Sequence, residues 1–214
     1  MHRNATARFT LVLCLLLALA LTGCKAGQQL NVPADYAPSG QKVLGVPHMQ
    51  QNNGYCCATN SLGMVMAYYD DDAQLQKYTS DGVWENSGAS ISTTRKWGNS
   101  MSALRRAAES YGFTDMEFMM ADIQTIEYLI DNGVPVIANV RARGSRGTYS
   151  HAVVVDGYNA DQLHIDDPVK GAFWEDKDTF EGRWWANLSQ PKGRKSRTIF
   201  VLMPRGENLF TPAK

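Results

Sequence analysis

The sequence has no excess of charge of either sign and no recurring unit. Lysine plus arginine and aspartate plus glutamate each number 21, so the formal net charge is zero. This balance gives no electrostatic reason to expect a nucleic-acid partner. No repeat with a period of roughly 20 to 50 residues is present, which excludes the common repeat architectures. The 214 residues, 44% of them hydrophobic, are enough for one domain with a substantial core.

The common spacings of metal and nucleotide sites are also missing. The sequence contains no C-x-x-C, no H-x-x-x-H and no G-x-x-x-x-G-K-[ST], so we expect no metal and no cofactor. His48, His151 and His164 offer imidazole ligands in principle, but they are far apart along the chain. A second long apolar run after the N-terminal one is absent as well.

Residues 1–23 have the order of a secretory signal peptide. Basic residues precede the apolar run TLVLCLLLALAL, which is shorter than the ~20 residues that cross a bilayer as a helix. The run closes in Leu21-Thr22-Gly23-Cys24, which resembles the lipobox of bacterial lipoproteins. The resemblance implies that Cys24 becomes the lipidated N-terminus, whereas the alternative is a plain cleaved signal with an incidental cysteine. Lys25 stands where the inner-membrane retention signal of enteric bacteria has aspartate, which favours the outer membrane, facing the periplasm.

The remaining chain divides into a tether, a domain and a tail. Residues 24–42 are rich in Gly, Pro, Gln and Asn with little periodicity, which is typical of a flexible tether. We expect the folded domain at 43–206 and a C-terminal tail at 207–214.

Within this domain, helical patterns come first and strand patterns second. Apolar residues recur from Cys57 on more than one helical face, which indicates a buried helix that ends at the aspartates 70–72. The pattern predicts two further helices at 100–113 and 121–133. It predicts strands at 134–140, 151–158, 162–168 and 197–203, with irregular structure at 80–98 and 141–150. This order indicates an α+β fold with an antiparallel sheet.

The adjacent Cys56 and Cys57 need a chemical explanation. Vicinal cysteines form a strained disulfide, and zinc sites space their ligands more widely. Packing as two buried apolar residues remains possible. A thiol in the first turn of a helix instead faces unpaired N–H groups and the positive end of the helix dipole, which lower its pKa. Such a thiol becomes a nucleophile if a base lies beside it.

His151 opens one predicted strand, and the next predicted strand ends in Asp166-Asp167-Pro168. Antiparallel pairing would bring the histidine and aspartate side chains together, and the aspartate would fix the imidazole tautomer. The alternatives are a structural core histidine and an ordinary turn, since Asp and Pro both favour turns.

Four stretches, QQNNGYCCATNSLGMVMAYY, GVPVIANV, SHAVVVDGY and HIDDP, together resemble the papain-like cysteine peptidases. The resemblance is to the group that contains the peptidase domains cutting double-glycine leaders from bacteriocin precursors, and it covers roughly residues 45 to 203. It implies a papain-like fold, with the nucleophile helix buried against an antiparallel sheet. It also implies a catalytic site made of Gln51, Cys57, His151 and Asp167.

The register of the motif favours Cys57 over Cys56 as the nucleophile. Gln51 stands six residues before Cys57, and Leu62-Gly63-Met64 matches the Leu-x-Met of the family only in this register. Ala58 departs from the family, many of whose members have glycine at this position.

The resemblance implies a role for each residue. Cys57 attacks as a thiolate, His151 acts as imidazolium and then as base, and Asp167 orients His151, while Asp166 points to the other face of its strand. The Gln51 amide and the Cys57 N–H form the oxyanion hole. The sequence thus predicts a lipid-anchored cysteine peptidase of the bacterial envelope, acting on a peptide or protein. An acyl transferase with the same residues, transglutaminase-like, and a non-catalytic lipoprotein that binds a peptide or peptidoglycan are the alternatives.

Overall fold

One antiparallel sheet and six helices form the part of the chain that this computed structural model describes, residues 29–70, 77–118, 120–145, 147–184 and 197–207. The helices are α1 (Cys57–Tyr69), α2 (Ser80–Ser87), α3 (Ile91–Trp97), α4 (Met101–Ser110), α5 (Ile123–Asp131) and α6 (Lys177–Arg183). The strands are β1 (Lys42–Val43), β2 (Phe113–Phe118), β3 (Val136–Gly144), β4 (Gly147–Tyr158), β5 (Gln162–Asp167), β6 (Gly171–Asp176) and β7 (Ile199–Pro204). The predicted α+β class with an antiparallel sheet is confirmed.

The sheet positions β4 and β5 side by side near its centre. The strand order is β2-β7-β3-β4-β5-β6, and β1 pairs with β4. The β3–β4 hairpin sets Val140 opposite His151, and the β4–β5 pairing sets Val154 opposite Asp166. The two strands that were expected to carry the histidine and the aspartate are therefore neighbours.

Helix α1 is buried because its apolar residues lie on more than one face. Leu62, Met64 and Met66 are fully buried, and they pack with sheet residues such as Val154 and Phe200. Each such side chain contributes roughly 1.5–3 kcal/mol when it leaves water. Gly63 is required by a close approach, since a Cβ there would lie 2.6 Å from the carbonyl oxygen of Tyr78.

A second apolar layer covers the other face of the sheet. Val153 and Val155 of β4 point away from α1, because side chains alternate along a strand. They share a core with Ile126 and Ile130 of α5 and with Phe180 of α6. The sheet is thus sandwiched between two helical layers, and its central strands are buried on both faces.

The prediction of irregular structure at 80–98 is wrong, because this stretch forms α2 and α3. The Thr79 hydroxyl accepts a hydrogen bond from the Gly82 N–H at 3.3 Å, and the Ser90 hydroxyl accepts one from the Thr93 N–H at 3.3 Å. The hydroxyl residues that suggested a loop are therefore N-caps of two short helices.

The loop predicted at 141–150 is also wrong. The strands β3 and β4 continue as a paired hairpin through this stretch, with Arg143 opposite Thr148 and Gly144 opposite Gly147. Its polar composition reflects solvent exposure of the hairpin end, since residues 147–150 are exposed. His151 consequently lies inside β4 and does not begin it.

Three elements were missed, namely β2, β6 and α6. The helix predicted in 100–113, with Gly112 past its end, runs to Ser110, and Phe113 begins β2 after Gly112 turns the chain at φ 86°. Strand β6 forms a hairpin with β5, and α6 follows it directly.

The N-terminal predictions fall outside the described residues. These are the signal peptide at 1–23 and the lipidated Cys24, while the tether is described only from residue 29 and the tail only at Glu207. No helix within the described ranges combines the length and the apolar character needed to cross a membrane.

Candidate active site

Cys56 and Cys57 stand at the start of α1 in different surroundings. Cys56 is the N-cap residue, is only 2% exposed and makes no side-chain capping bond. Its carbonyl oxygen accepts hydrogen bonds from the Asn60 N–H at 2.9 Å and the Thr59 hydroxyl at 3.1 Å. Cys57 begins the helix, is partly buried and contacts His151. Neither cysteine is in a disulfide.

The surroundings of Cys57 favour its thiolate. Burial alone would raise the pKa of this thiol, because a charged group loses its hydration. The hydrogen bond with His151, the charge of that imidazole and the N–H groups of Ala152 and Ala58 act in the opposite direction. Together these interactions outweigh the effect of burial, and the pKa of Cys57 is lowered from its ordinary value.

His151 and Asp167 form a buried pair across β4 and β5. The Nε2 atom of His151 lies 2.8 Å from Oδ1 of Asp167, and the residues are 4% and 1% exposed. The same carboxylate oxygen accepts the Val169 N–H at 2.8 Å, which ties it to the turn after β5. Since Nε2 is bound to the carboxylate, Nδ1 is the ring nitrogen left for Cys57.

The imidazolium form of His151 is stabilised despite its burial. Desolvation lowers the pKa of His151, but the hydrogen bonds and charges of Asp167 and Cys57 raise it to about 9. Burial likewise works against the Asp167 carboxylate, yet the bond and charge of His151 hold the pKa of Asp167 below its usual value. A thiolate, an imidazolium and a carboxylate thus stabilise one another in a row.

Gln51 is tied to the same region through its backbone. Its N–H donates to the carbonyl oxygen of Pro168 at 2.8 Å, directly after Asp167. Its side-chain Nε2 donates to the carbonyl oxygen of Asn53 at 2.6 Å, which uses one of its two hydrogens. The side chain therefore lies along the segment that leads into Cys57.

Asp166 faces away from His151 and joins a second group of polar side chains. This His–Asp cluster consists of His48, Asp156, His164 and Asp166. Oδ1 of Asp156 lies 2.6 Å from Nδ1 of His164, and Oδ1 of Asp166 lies 3.5 Å from Nδ1 of His48. Burial, followed by the charge of Asp156, raises the pKa of Asp166 to about 6.

The C-x-x-C and H-x-x-x-H spacings of metal ligands do not include this cluster, which is why the sequence analysis missed it. His164 and Asp166 are two residues apart on β5, and residues i and i+2 of a strand share one face. That H-x-D spacing inside a predicted strand was the available signal. His48 and Asp156 join through the tertiary fold, for which the sequence offers no local signal.

Residues 43–192 of the chain match the model of the Peptidase_C39 like family. The match spans more than half of the sequence and includes Gln51, Cys57, His151 and Asp167. No curated protein matches the chain.

Solved structures with the same fold come from peptidases. The peptidase domain of Streptococcus ComA, a bifunctional ABC transporter involved in quorum sensing, is 23% identical with a TM-score of 0.55, over 75% of this chain and 99% of that one. A putative C39-like peptidase from Bacillus anthracis is 18% identical with a TM-score of 0.53, over 78% and 99%.

A third structure is a double glycine motif protease from an AMS/PCAT transporter, in complex with its leader peptide. It is 20% identical with a TM-score of 0.51, over 78% of this chain and 95% of that one. These likenesses establish a papain-like fold, and together with the family match they identify the molecule: the chain belongs to the Peptidase_C39 like family and is a cysteine-type peptidase.

Proposed function

We propose that this peptidase hydrolyses peptide bonds with Cys57 as the nucleophile, His151 as the acid and base, and Asp167 as the residue that orients His151. The observation that carries the proposal is the position of His151, whose Nε2 lies 2.8 Å from the Asp167 carboxylate and whose interaction with Cys57 lowers the pKa of that thiol. An imidazole between a carboxylate and a thiol is the arrangement that activates a cysteine.

The choice of Cys57 over its neighbour rests on contacts. Cys57 interacts with His151 through a hydrogen bond and through the charge of the imidazole, and these interactions lower the pKa of the thiol. A nucleophile at neutral pH requires such a lowered pKa. Cys56 is 2% exposed and belongs to the apolar core. A substrate carbonyl therefore has access to one of the two thiols.

The reaction proceeds in two steps. The Cys57 thiolate attacks the carbonyl carbon of the scissile bond, and the C–N bond breaks as His151 gives its Nδ1 proton to the leaving amine. Water then attacks the thioester, His151 takes the proton from that water, and the acid product leaves with the Cys57 thiolate restored.

The developing oxyanion has two candidate donors. The N–H of Cys57 is among the first in α1, and such groups have no partner within the helix. Gln51 Nε2 retains one hydrogen beyond its bond to Asn53. A donor of this kind contributes roughly 10²–10³ to the rate.

A peptide or protein is the substrate that this chemistry and the family indicate. The double glycine motif protease of the same fold holds a leader peptide. We extend the proposal to an anchored enzyme, with Cys24 lipidated at the outer membrane and the domain facing the periplasm.

The proposal is tested by labelling with a peptide-like epoxysuccinyl electrophile, followed by mass spectrometry of the modified peptide. The wild-type protein and Cys56→Ala are expected to acquire one label at Cys57, and both should cleave a peptide mixture. Cys57→Ala should lose the label and the cleavage together.

Cys56→Ala is the matched control, since it removes a thiol from the adjacent residue. A label that persists in Cys57→Ala and disappears in Cys56→Ala would contradict the assignment. Addition of a primary amine during the assay distinguishes hydrolysis from acyl transfer, because transfer would give an amide in place of the free acid.

A further inference from the structure

We propose that the His–Asp cluster, His48, Asp156, His164 and Asp166, binds a divalent transition-metal ion of the zinc class. The site lies apart from the proposed catalytic residues, because Asp166 and Asp167 are consecutive on β5 and point to opposite faces of the sheet. The ion would stabilise the folded structure, and it would take no part in the attack on the peptide bond.

The ligand atoms are already gathered. One side-chain ligand atom from each of Asp156, His164 and Asp166 lies within 4.8 Å of the others. His48 lies beside this group, with its Nδ1 3.5 Å from Oδ1 of Asp166, and it would become the fourth ligand by moving towards Asp156 and His164. These four residues supply two imidazole nitrogens and two carboxylate oxygens.

An unsatisfied acceptor points into this group. Asp166 is 2% exposed, and its Oδ1 accepts no hydrogen bond from any residue in the described part of the chain. Its ion-pair contact with Nδ1 of His48, at 3.5 Å, is too long to replace the water that a buried carboxylate loses, so the oxygen stays poorly satisfied. A cation among these side chains would satisfy it.

A four-coordinate ion would hold these ligand atoms closer together than the 4.8 Å within which three of them now lie. Bonds of about 2.0–2.2 Å in a tetrahedron put neighbouring ligand atoms roughly 3.4 Å apart. The 3.5 Å between His48 and Asp166 matches this edge. The 2.6 Å between His164 and Asp156 is a hydrogen bond that would open by under 1 Å as the ion replaces the shared proton.

The donor set decides the class of ion. Two imidazoles with two carboxylates suit zinc and its first-row neighbours, whereas calcium and magnesium prefer ligands that are all oxygen. A supporting shell is present as well, since Oδ2 of Asp156 accepts the N–H groups of Gly45 at 3.2 Å and Val46 at 3.1 Å. Such outer contacts orient a ligand and hold its charge.

The ion would connect three parts of the chain. His48 belongs to the segment before α1, Asp156 to β4, and His164 with Asp166 to β5. That segment also carries Gln51, three residues after His48, whose N–H is bonded to Pro168 beyond the end of β5. Bound metal would therefore fasten the segment holding Gln51 to the strands that hold His151 and Asp167.

The test measures zinc binding to the full-length protein in detergent, in a Cys57→Ala background. This background removes the thiol that, beside His151, would offer zinc a competing site. Isothermal titration with zinc chloride is expected to show binding of zinc to the Cys57→Ala protein. The affinity for zinc should fall at least tenfold when Asp166→Asn is added. Zinc at a hundredfold excess over its dissociation constant should raise the Tm by roughly 5–10 °C, and this shift should vanish in that variant.

Asp167→Asn in the same background is the matched control, because it changes the adjacent buried carboxylate on the opposite face. It is expected to keep the zinc affinity and the Tm shift. His48→Gln provides a second variant whose side chain is 32% exposed, so it tests the site even if the Asp166 variant fails to fold.

Absence of zinc binding by the Cys57→Ala protein would overturn the proposal. So would an affinity that is unchanged in His48→Gln, since the ion would then be held elsewhere. Because every measurement is made on protein without the Cys57 thiol, its outcome is independent of the proposed peptidase mechanism.

Discussion

At the scale of single residues, the charge on Cys57 depends on a carboxylate that acts through His151. Asp167 is bonded to His151, and their interaction helps to hold the pKa of the imidazole at about 9. The imidazolium in turn stabilises the thiolate, whose pKa is lowered against the effect of burial. Removing the negative charge of Asp167 should therefore favour loss of the proton from His151, and the thiolate of Cys57 would then lose the positive charge that stabilises it.

We expect Asp167→Asn to shift the alkaline limit of activity to lower pH. The proposed mechanism requires the thiolate and the imidazolium together, so wild-type activity should rise through the pKa of Cys57 and fall as the pH passes about 9, where His151 loses its proton. The amide cannot support the imidazolium, so this fall should begin at lower pH. The maximal kcat/KM should decrease by roughly 10²–10⁴-fold.

The pH profile of peptide cleavage and the NMR titration of the His151 ring measure these two effects. Asp161→Asn, at an exposed position in the turn before β5, is the control and should leave both unchanged. An alkaline limit that stays in place in Asp167→Asn would contradict the assigned role of Asp167.

At the scale of elements, the position of α1 depends on how closely it can approach the chain at Tyr78. Leu62 and Met64 flank Gly63 and are fully buried, so the helix has little freedom to move away. We expect Gly63→Ala to lower the free energy of unfolding by about 1–3 kcal/mol, because its Cβ would overlap the Tyr78 carbonyl oxygen. Urea unfolding followed by circular dichroism measures the change.

Gly182→Ala is the matched control, since this glycine lies in α6 with no atom within 4 Å of an added Cβ. Its stability should be unchanged or higher by up to about 1 kcal/mol, as alanine favours helix. Equal stability of Gly63→Ala and the parent would show that the close approach does not constrain α1.

Elements with strong periodicity could be predicted from the sequence, and those defined by caps or by partners could not. Helix α1 and the core of β4 carry strong apolar patterns, so their type could be predicted directly. Helices α2 and α3 are short and polar, and their hydroxyl residues predict a loop as readily as a helix, because Ser and Thr favour caps and turns alike. The outer half of the β3–β4 hairpin is held by pairing, which its composition does not reveal.

The candidate site shows the same division. Cys57 and His151 belong to recognisable motifs, and the pairing of two predicted strands indicated an aspartate beside His151. The family resemblance supplied Gln51 and the choice of Asp167. The second group of histidines and aspartates depends on the folding of His48 against β4 and β5, which no local spacing encodes. Only its strand-borne pair, His164 and Asp166, was accessible from alternation along β5.

At the scale of the whole molecule, the proposed anchor sets where the enzyme works. Cys24→Ser is expected to move the protein from the membrane fraction to the soluble fraction, because several acyl chains would be lost from the N-terminus. Fractionation with mass spectrometry of the N-terminal peptide measures this. Cys14→Ser is the control, since Cys14 lies in the predicted signal peptide and its loss should leave the protein membrane-bound. A wild-type N-terminus without lipid would contradict the anchor.

The neighbouring carboxylates of β5 have a consequence for how the family can vary. If an insertion of one residue in the turn before β5 slid the strand by one position, Asp166 would take the place of Asp167 beside His151, and the carboxylate would be kept. Leu163 and Ile165, however, would move from the apolar face of β5, where they are part of the core, to the opposite, polar face. The burial of these two aliphatic residues, and not the charged pair, therefore fixes the register of β5 in the sheet. Insertions and deletions in that turn should be rarer than substitutions within it.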